Sequence, residues 1–164
     1  MAGVFTGVIV SLFIIRFFNK NHSFRTEYDE MQKKVRGEAY MYGFYALIIY
    51  EALLAFAETV ISIPADPLVL HFSGILLGVG VQAGYSIWND AYVGLNTQTN
   101  RFLIIMILIG GVNLLVAAIA VIDGRMFVNG ILQPPFCNLL VFFLFLILGI
   151  IGVIKRAGKK EDES

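Results

Sequence analysis

Cysteine occurs once, as Cys137, and histidine twice, as His22 and His71. A single thiol excludes an intrachain disulfide and a cysteine-based metal cluster, and Cys137, heading an apolar run, reads as a small core residue. Charge is scarce too. Asp, Glu, Lys and Arg make up 15% of the 164 residues and balance to a net zero. No basic face of the kind nucleic acid needs is present, so a nucleic-acid partner is not expected. Long polar stretches are also missing: none exceeds about twenty residues, too few for a nucleotide-binding or catalytic domain beside the membrane. The first residues lack the basic leader and small-residue cleavage site of a secretory signal, and read as an uncleaved anchor.

What is abundant is apolar sequence. Hydrophobic residues make up 58% of the chain, against about 45–50% in soluble domains, and the mean hydropathy is +0.78. The expected fold class is an all-α integral membrane bundle. A spanning helix needs about 17–25 mostly apolar residues, and five segments qualify, at about 2–18, 40–63, 68–87, 102–122 and 136–154. Between them lie "PADP", "NTQTNR" and "DGRMFVNGILQPP", rich in residues that break helices.

Basic residues orient these spans. Of twelve Lys and Arg, all but Arg125 fall on one side of a five-span arrangement. The positive-inside rule then places the N-terminus outside and the C-terminus in the cytoplasm. The first span is short, about 25 Å of helix, and ends at Arg16, whose side chain must snorkel. Residues 27–39 read as a cytoplasmic juxtamembrane helix running on into the second span. Thr26 and Asp29 resemble a capping box there, with Asp29–Lys33 and Glu30–Lys34 as ion pairs. The tail, 155–164, reads as a disordered cytoplasmic segment.

Polar residues inside the spans carry the functional question. Counting from the loops, Glu51 falls near the midplane with Asn113, while Glu58, His71 and Asn138 share an outer level. An ionised residue at a helix centre costs about 2.5–3.5 kcal/mol, and each Leu, Ile, Phe or Val returns about 0.3–0.6. The second span's ten such residues supply roughly 3–6 kcal/mol, so two charged glutamates nearly cancel its insertion. They are therefore expected to face other helices or water, or to be protonated, since desolvation raises a carboxyl pKa. Glu51 is either a buried lock between helices, with Asn113 as partner, or a proton or cation site. Glu58 with His71 is either a pH-responsive pair, imidazole titrating near neutrality, or two ordinary interfacial residues.

The third span contains Gly74-x3-Gly78 and Gly80-x3-Gly84, a spacing that lets helix backbones approach. Two offset copies point to a central helix touched on more than one side. Metal chemistry finds no footing: His22 and His71 lie on opposite sides, and there is no HExxH motif. No metal, cofactor or enzymatic activity is expected.

"YDEMQKKVRGEAYMYGFYAL", residues 28–47, and "IWNDAYVGLN", residues 87–96, resemble a group of small uncharacterised multispan membrane proteins of Gram-positive bacteria with YDExQ, RGxAY and WxDAY patterns. Members often carry Arg where this chain has Met31. The resemblance implies a bacterial cytoplasmic (inner) membrane location and brings no activity with it. In physical terms the two motifs meet at one face, where Lys34, Arg36, Tyr40, Trp88, Asp90 and Tyr92 form a cytoplasmic collar. Asp90 is expected to pair with Lys34 or Arg36, and Trp88 and Tyr40 to sit in the interfacial aromatic belt.

Two functions fit these features. One is a non-enzymatic membrane component acting through helix association, as a homo-oligomer or as an accessory subunit of a transporter or sensor, through the glycine faces and the collar. The other is a small proton-linked or cation-linked transporter or channel in which Glu51 titrates.

Overall fold

The computed structural model describes residues 27–94 and 99–162. These form four long helices and a short hairpin: α1 (Glu30–Val60), α2 (Pro67–Trp88), α3 (Thr99–Ile122), β1 (Phe127–Val128), β2 (Ile131–Leu132) and α4 (Phe136–Asp162). All four helices are long and apolar enough to cross a membrane. The span expected at 2–18 lies outside the described residues.

Each helix starts and stops for a local reason. At the start of α1, the Asp29 carboxylate accepts from the Gln32 backbone N–H at 2.6 Å, and the Gln32 side chain accepts from the Asp29 N–H. This is a capping box one turn later than the Thr26–Asp29 pairing expected, because Gln32 supplies the returning acceptor. With Asp29 engaged there, Lys33 pairs with Glu30 at 3.0 Å instead of with Asp29. The stem and the second span form one continuous helix. Asp66 caps α2 and Pro67 occupies its first turn, where a missing N–H costs nothing.

Two helices end in the same way. After α2, Asp90 takes a left-handed conformation (φ 58°), with Ala91 N–H bonded to the Ser86 carbonyl and Asp90 N–H to that of Ile87. After α3, Gly124 (φ 67°) does the same, with Arg125 N–H on Ala120 and Gly124 N–H on Val121. Both are Schellman caps. α4 continues as helix through the tail to Asp162. Of the tail expected to be disordered at 155–164, the part as far as Asp162 is helical: polar Lys and Glu are good helix formers when a preceding helix has already supplied the nucleus.

In space the helices run α1–α2–α4–α3, with α2 and α4 central. Ala83 and Ile87 of α2 meet Met106 of α3 and Leu148 of α4 at one end. At the other end, Ala117 and Ala120 of α3 carry Met126 and Leu132 of the hairpin segment. That hairpin turns through Asn129 and Gly130, both at positive φ (52° and 78°), as a two-residue Asn-Gly turn requires. Leu132 then accepts from the Asp66 N–H and donates to the Pro64 carbonyl, tying the α1–α2 loop to the hairpin.

Candidate functional site

The α1–α2 seam is antiparallel and close. Tyr85 donates to Glu38 at 2.9 Å and meets Tyr42 edge-on with ring centroids 5.0 Å apart. One turn on, a Cβ on Gly43 would stand 2.6 Å from the Gly78 carbonyl oxygen, and one on Gly78 would stand 2.9 Å from that of Gly43. Backbone faces backbone, so neither position admits a side chain without moving a helix. Further along, Tyr50 donates to the Leu70 carbonyl at 3.0 Å. A Cβ on Gly74 would fall 2.5 Å from the Tyr50 ring and 2.6 Å from Oε1 of Glu51.

Gly74 thus leaves a notch for the Glu51 carboxyl group. Its second oxygen, Oε2, lies 2.9 Å from Nδ1 of His71, a hydrogen bond. The Glu51 side chain is 33% exposed and that of His71 54%, so the pair is only partly covered by its own chain. Leu68 and Ile75, a turn either side of His71, are exposed at 56% and 49%. The result is a polar pair bordered on α2 by exposed apolar side chains.

This arrangement changes the expected grouping. His71 meets Glu51 rather than Glu58, because the Gly43–Gly78 contact sets the register of the seam. In that register α2 starts opposite Ala55, and α1 continues beyond it by about five residues, roughly 7 Å. Glu58 lies on that overhang, exposed, and pairs with none of the described residues. Asn113 does not reach Glu51, because α1 and α3 stand at opposite ends of the row; its side chain donates to the Ile109 carbonyl of its own helix at 2.8 Å. Asn138 likewise turns to the Pro135 carbonyl, at 3.2 Å, in the first turn of α4. Among the described residues, no group of three His, Cys, Asp or Glu comes together.

The four α2 glycines divide between two neighbours. Gly74 and Gly78 face α1, whereas Gly80 and Gly84 face Leu144, Leu148 and Ile151 of α4. Both glycine faces are therefore used within the chain, which removes them as surfaces for a second molecule.

At the far end of the seam the two sequence motifs interlock. Gln32 donates to the Asp90 carbonyl at 2.8 Å and the Val93 carbonyl at 3.4 Å. Arg36 donates to the Ala91 carbonyl at 3.3 Å, to the Tyr28 hydroxyl at 3.1 Å and to the Tyr40 hydroxyl at 3.3 Å. Its guanidinium lies 4.2 Å from the centre of the Tyr28 ring, a cation–π contact, and Tyr28 donates to the Tyr92 carbonyl at 3.5 Å. The stem thus donates to carbonyls of the segment that follows the α2 cap. Burial pushes the Tyr92 phenol above its ordinary pKa, with Arg36 acting in the opposite direction.

Here too a pairing is corrected. Asp90 takes Lys155 of α4, at 3.4 Å, rather than Lys34 or Arg36: Arg36 is held by tyrosines and a carbonyl, and Lys34 points outward. Lys155 also lies 5.9 Å from the Trp88 ring centre, and Trp88 and Tyr40 are both more than half exposed. Sequence reasoning missed Gly43, Tyr50 and Lys155. Of these, Lys155 had a readable signal, a cation placed directly after the last apolar run. No family model, curated protein or solved structure matches the chain.

Proposed function

We propose that this protein is a non-enzymatic integral membrane protein that acts through helix association, as a homo-oligomer or as an accessory subunit of a membrane transporter or sensor. The observation that carries this reading is the Glu51–His71 pair, hydrogen-bonded yet left partly uncovered beside exposed apolar side chains. Facing lipid, such groups are costly, by about 2.5–3.5 kcal/mol for an ionised carboxylate at depth. A partner helix bringing a hydrogen-bonding side chain relieves that cost, at about 0.6–2 kcal/mol per contact. The docking face is then the outer half of α1 and α2, centred on this pair, rather than the α2 glycines. The distribution of basic residues supports placing the collar at the cytoplasmic side of the membrane, with the hairpin outside; that this is a bacterial inner membrane rests on the resemblance of the two motifs alone.

A second reading rests on the same 2.9 Å contact. A carboxyl and an imidazole sharing a proton can pass it on, and Glu58, two turns along α1, lies on nearly the same face. In this reading the protein is a small proton-linked or cation-linked conduit. Glu51→Gln separates the two. Loss of assembly with unchanged ion flux in proteoliposomes supports association, whereas intact assembly with abolished flux supports the conduit.

A further inference from the structure

The contact between Glu51 and His71 leaves bonding capacity unused on both sides. Nδ1 of His71 meets Oε2 of Glu51 at 2.9 Å, but an imidazole has a second nitrogen and a carboxyl group has further lone pairs. Among the described residues, no other side chain or backbone group bonds either of them. An acid and a base therefore stand side by side at one level, each with a bond still to make.

Apolar side chains extend this pair into a face made by two helices. Ile48 and Ala55 stand three residues before and four after Glu51 on α1, and Leu68 and Ile75 stand in the same relation to His71 on α2. Those spacings keep each set on one helix face with its polar residue. All four are exposed.

We propose that this face receives the same face of a second copy, in a dimer whose two-fold axis lies along the membrane normal. Copies that share one orientation in a bilayer can be related by a two-fold axis only in that direction. When a copy is turned about such an axis in front of the seam, α1 of each chain comes to face α2 of the other. Glu51 and His71 touch, so they are level, and Glu51 of each copy meets His71 of the other. The interface is isologous and makes this contact twice. Each imidazole then joins two carboxyl groups, through Nδ1 to that of its own chain and through Nε2 to that of the second copy. The four groups close into a ring shielded from lipid, where an ionised residue is costly. A lipid tail offers neither acid nor base, and a second copy brings both at the required level. The four helices alternate in direction, as in an antiparallel bundle, with Ile48 of one copy beside Ile75 of the other. The proposal rests on the association reading and names its partner.

Complementation between disabled copies tests it. Glu51→Ala and His71→Ala each remove both contacts between identical chains, but a mixed dimer regains one, from His71 of the first variant to Glu51 of the second. With the two copies differently tagged and co-expressed, co-purification in mild detergent is expected to fall several-fold for either variant with itself and to recover in part for the mixed pair. A second measurement leaves the pair intact. In a Cys137→Ser background, Ile48→Cys on one copy is expected to cross-link to Ile75→Cys on the other, whereas Leu53→Cys, on the far side of α1, is not. A wild-type protein whose two tags never co-purify, but which holds a different membrane protein in fixed ratio, would overturn the second copy as partner and leave the association reading standing. A single chain with no partner would overturn both. The dimer proposed here is also overturned if either alanine variant pairs as strongly as wild type, or if the mixed pair is no stronger than the variants alone. Where an alanine variant is not recovered from the membrane, the cysteines decide: no cross-link from Ile48→Cys to Ile75→Cys overturns the proposal.

Discussion

Gly37 and Gly43 lie six residues apart on α1, and the same substitution is expected to act on them in opposite directions. A Cβ on Gly37 meets nothing within 4 Å, whereas on Gly43 it stands 2.6 Å from the Gly78 carbonyl oxygen and 2.8 Å from Cβ of Gln82. At Gly37, alanine removes only the entropic penalty of glycine in a helix, a gain of about 0.5–1 kcal/mol. At Gly43 the same gain is outweighed. Ordinary contact begins near 3.4 Å, so the two backbones must part by about 0.8 Å, and overpacking of this kind costs about 1–3 kcal/mol. Gly43→Ala is therefore expected to destabilise by about 1–2 kcal/mol. Trp88 is the sole tryptophan and sits at the end of this helix pair, so its fluorescence reports unfolding in mixed micelles titrated with denaturing detergent. If Gly43→Ala proves as stable as Gly37→Ala, the backbone contact that sets the register of α1 and α2 is wrong, and the opposition of Glu51 to His71 falls with it.

Other substitutions probe the two ends of the seam. Gly74→Ala, which fills the carboxyl notch, should displace Glu51 from His71; an imidazole NMR resonance of His71 unchanged from wild type would contradict this. At the collar, Asp29→Ala should cost about 1 kcal/mol through loss of the cap. Gln32→Ala keeps the bond from the Gln32 backbone N–H to Asp29 but loses the return bond of the capping box and the donors to the Asp90 and Val93 carbonyls, and amide exchange at residues 27–40 should rise in both variants. Titration gives a further check at Tyr92. Because its phenol is raised in the folded state, its contribution to stability is complete below the ordinary tyrosine value near 10 and is lost as pH rises through the higher folded value. Alkaline unfolding followed at Trp88 should accordingly flatten in Tyr92→Phe; an unchanged profile would exclude Tyr92 as a source of it.

The helices were legible because apolar runs and their Pro, Asp and Gly boundaries are local signals. "PADP" and the Asp66–Pro67 start coincide, and the stem runs into the second span as its charge pattern implied. The pairings were legible only in part. Depth counted from loop positions assumed that α1 and α2 begin and end at one level, but the Gly43–Gly78 contact slides them and brings Glu51 to His71. No property of Gly43 in isolation distinguishes it from Gly37. Asn113 was matched with Glu51 by depth alone, and depth carries no information about which helices are neighbours. The hairpin has a local signature as well: "FVNGIL" places Asn-Gly between two apolar pairs. The interlock of Gln32 and Arg36 with the carbonyls of Asp90 and Ala91 shows why the two motifs occur together, as donors on one helix matched to acceptors on the next turn.

Whether the Glu51–His71 face binds a helix is tested most directly by the assembly state of the full chain, extracted in mild detergent and reconstituted at low density. Wild type is expected to run as a species larger than its 18.2 kDa chain, either self-associated or in a fixed ratio with one membrane partner, and Glu51→Gln with His71→Ala is expected to release the single chain. A wild-type protein that remains a single chain and retains no stoichiometric partner would contradict the account.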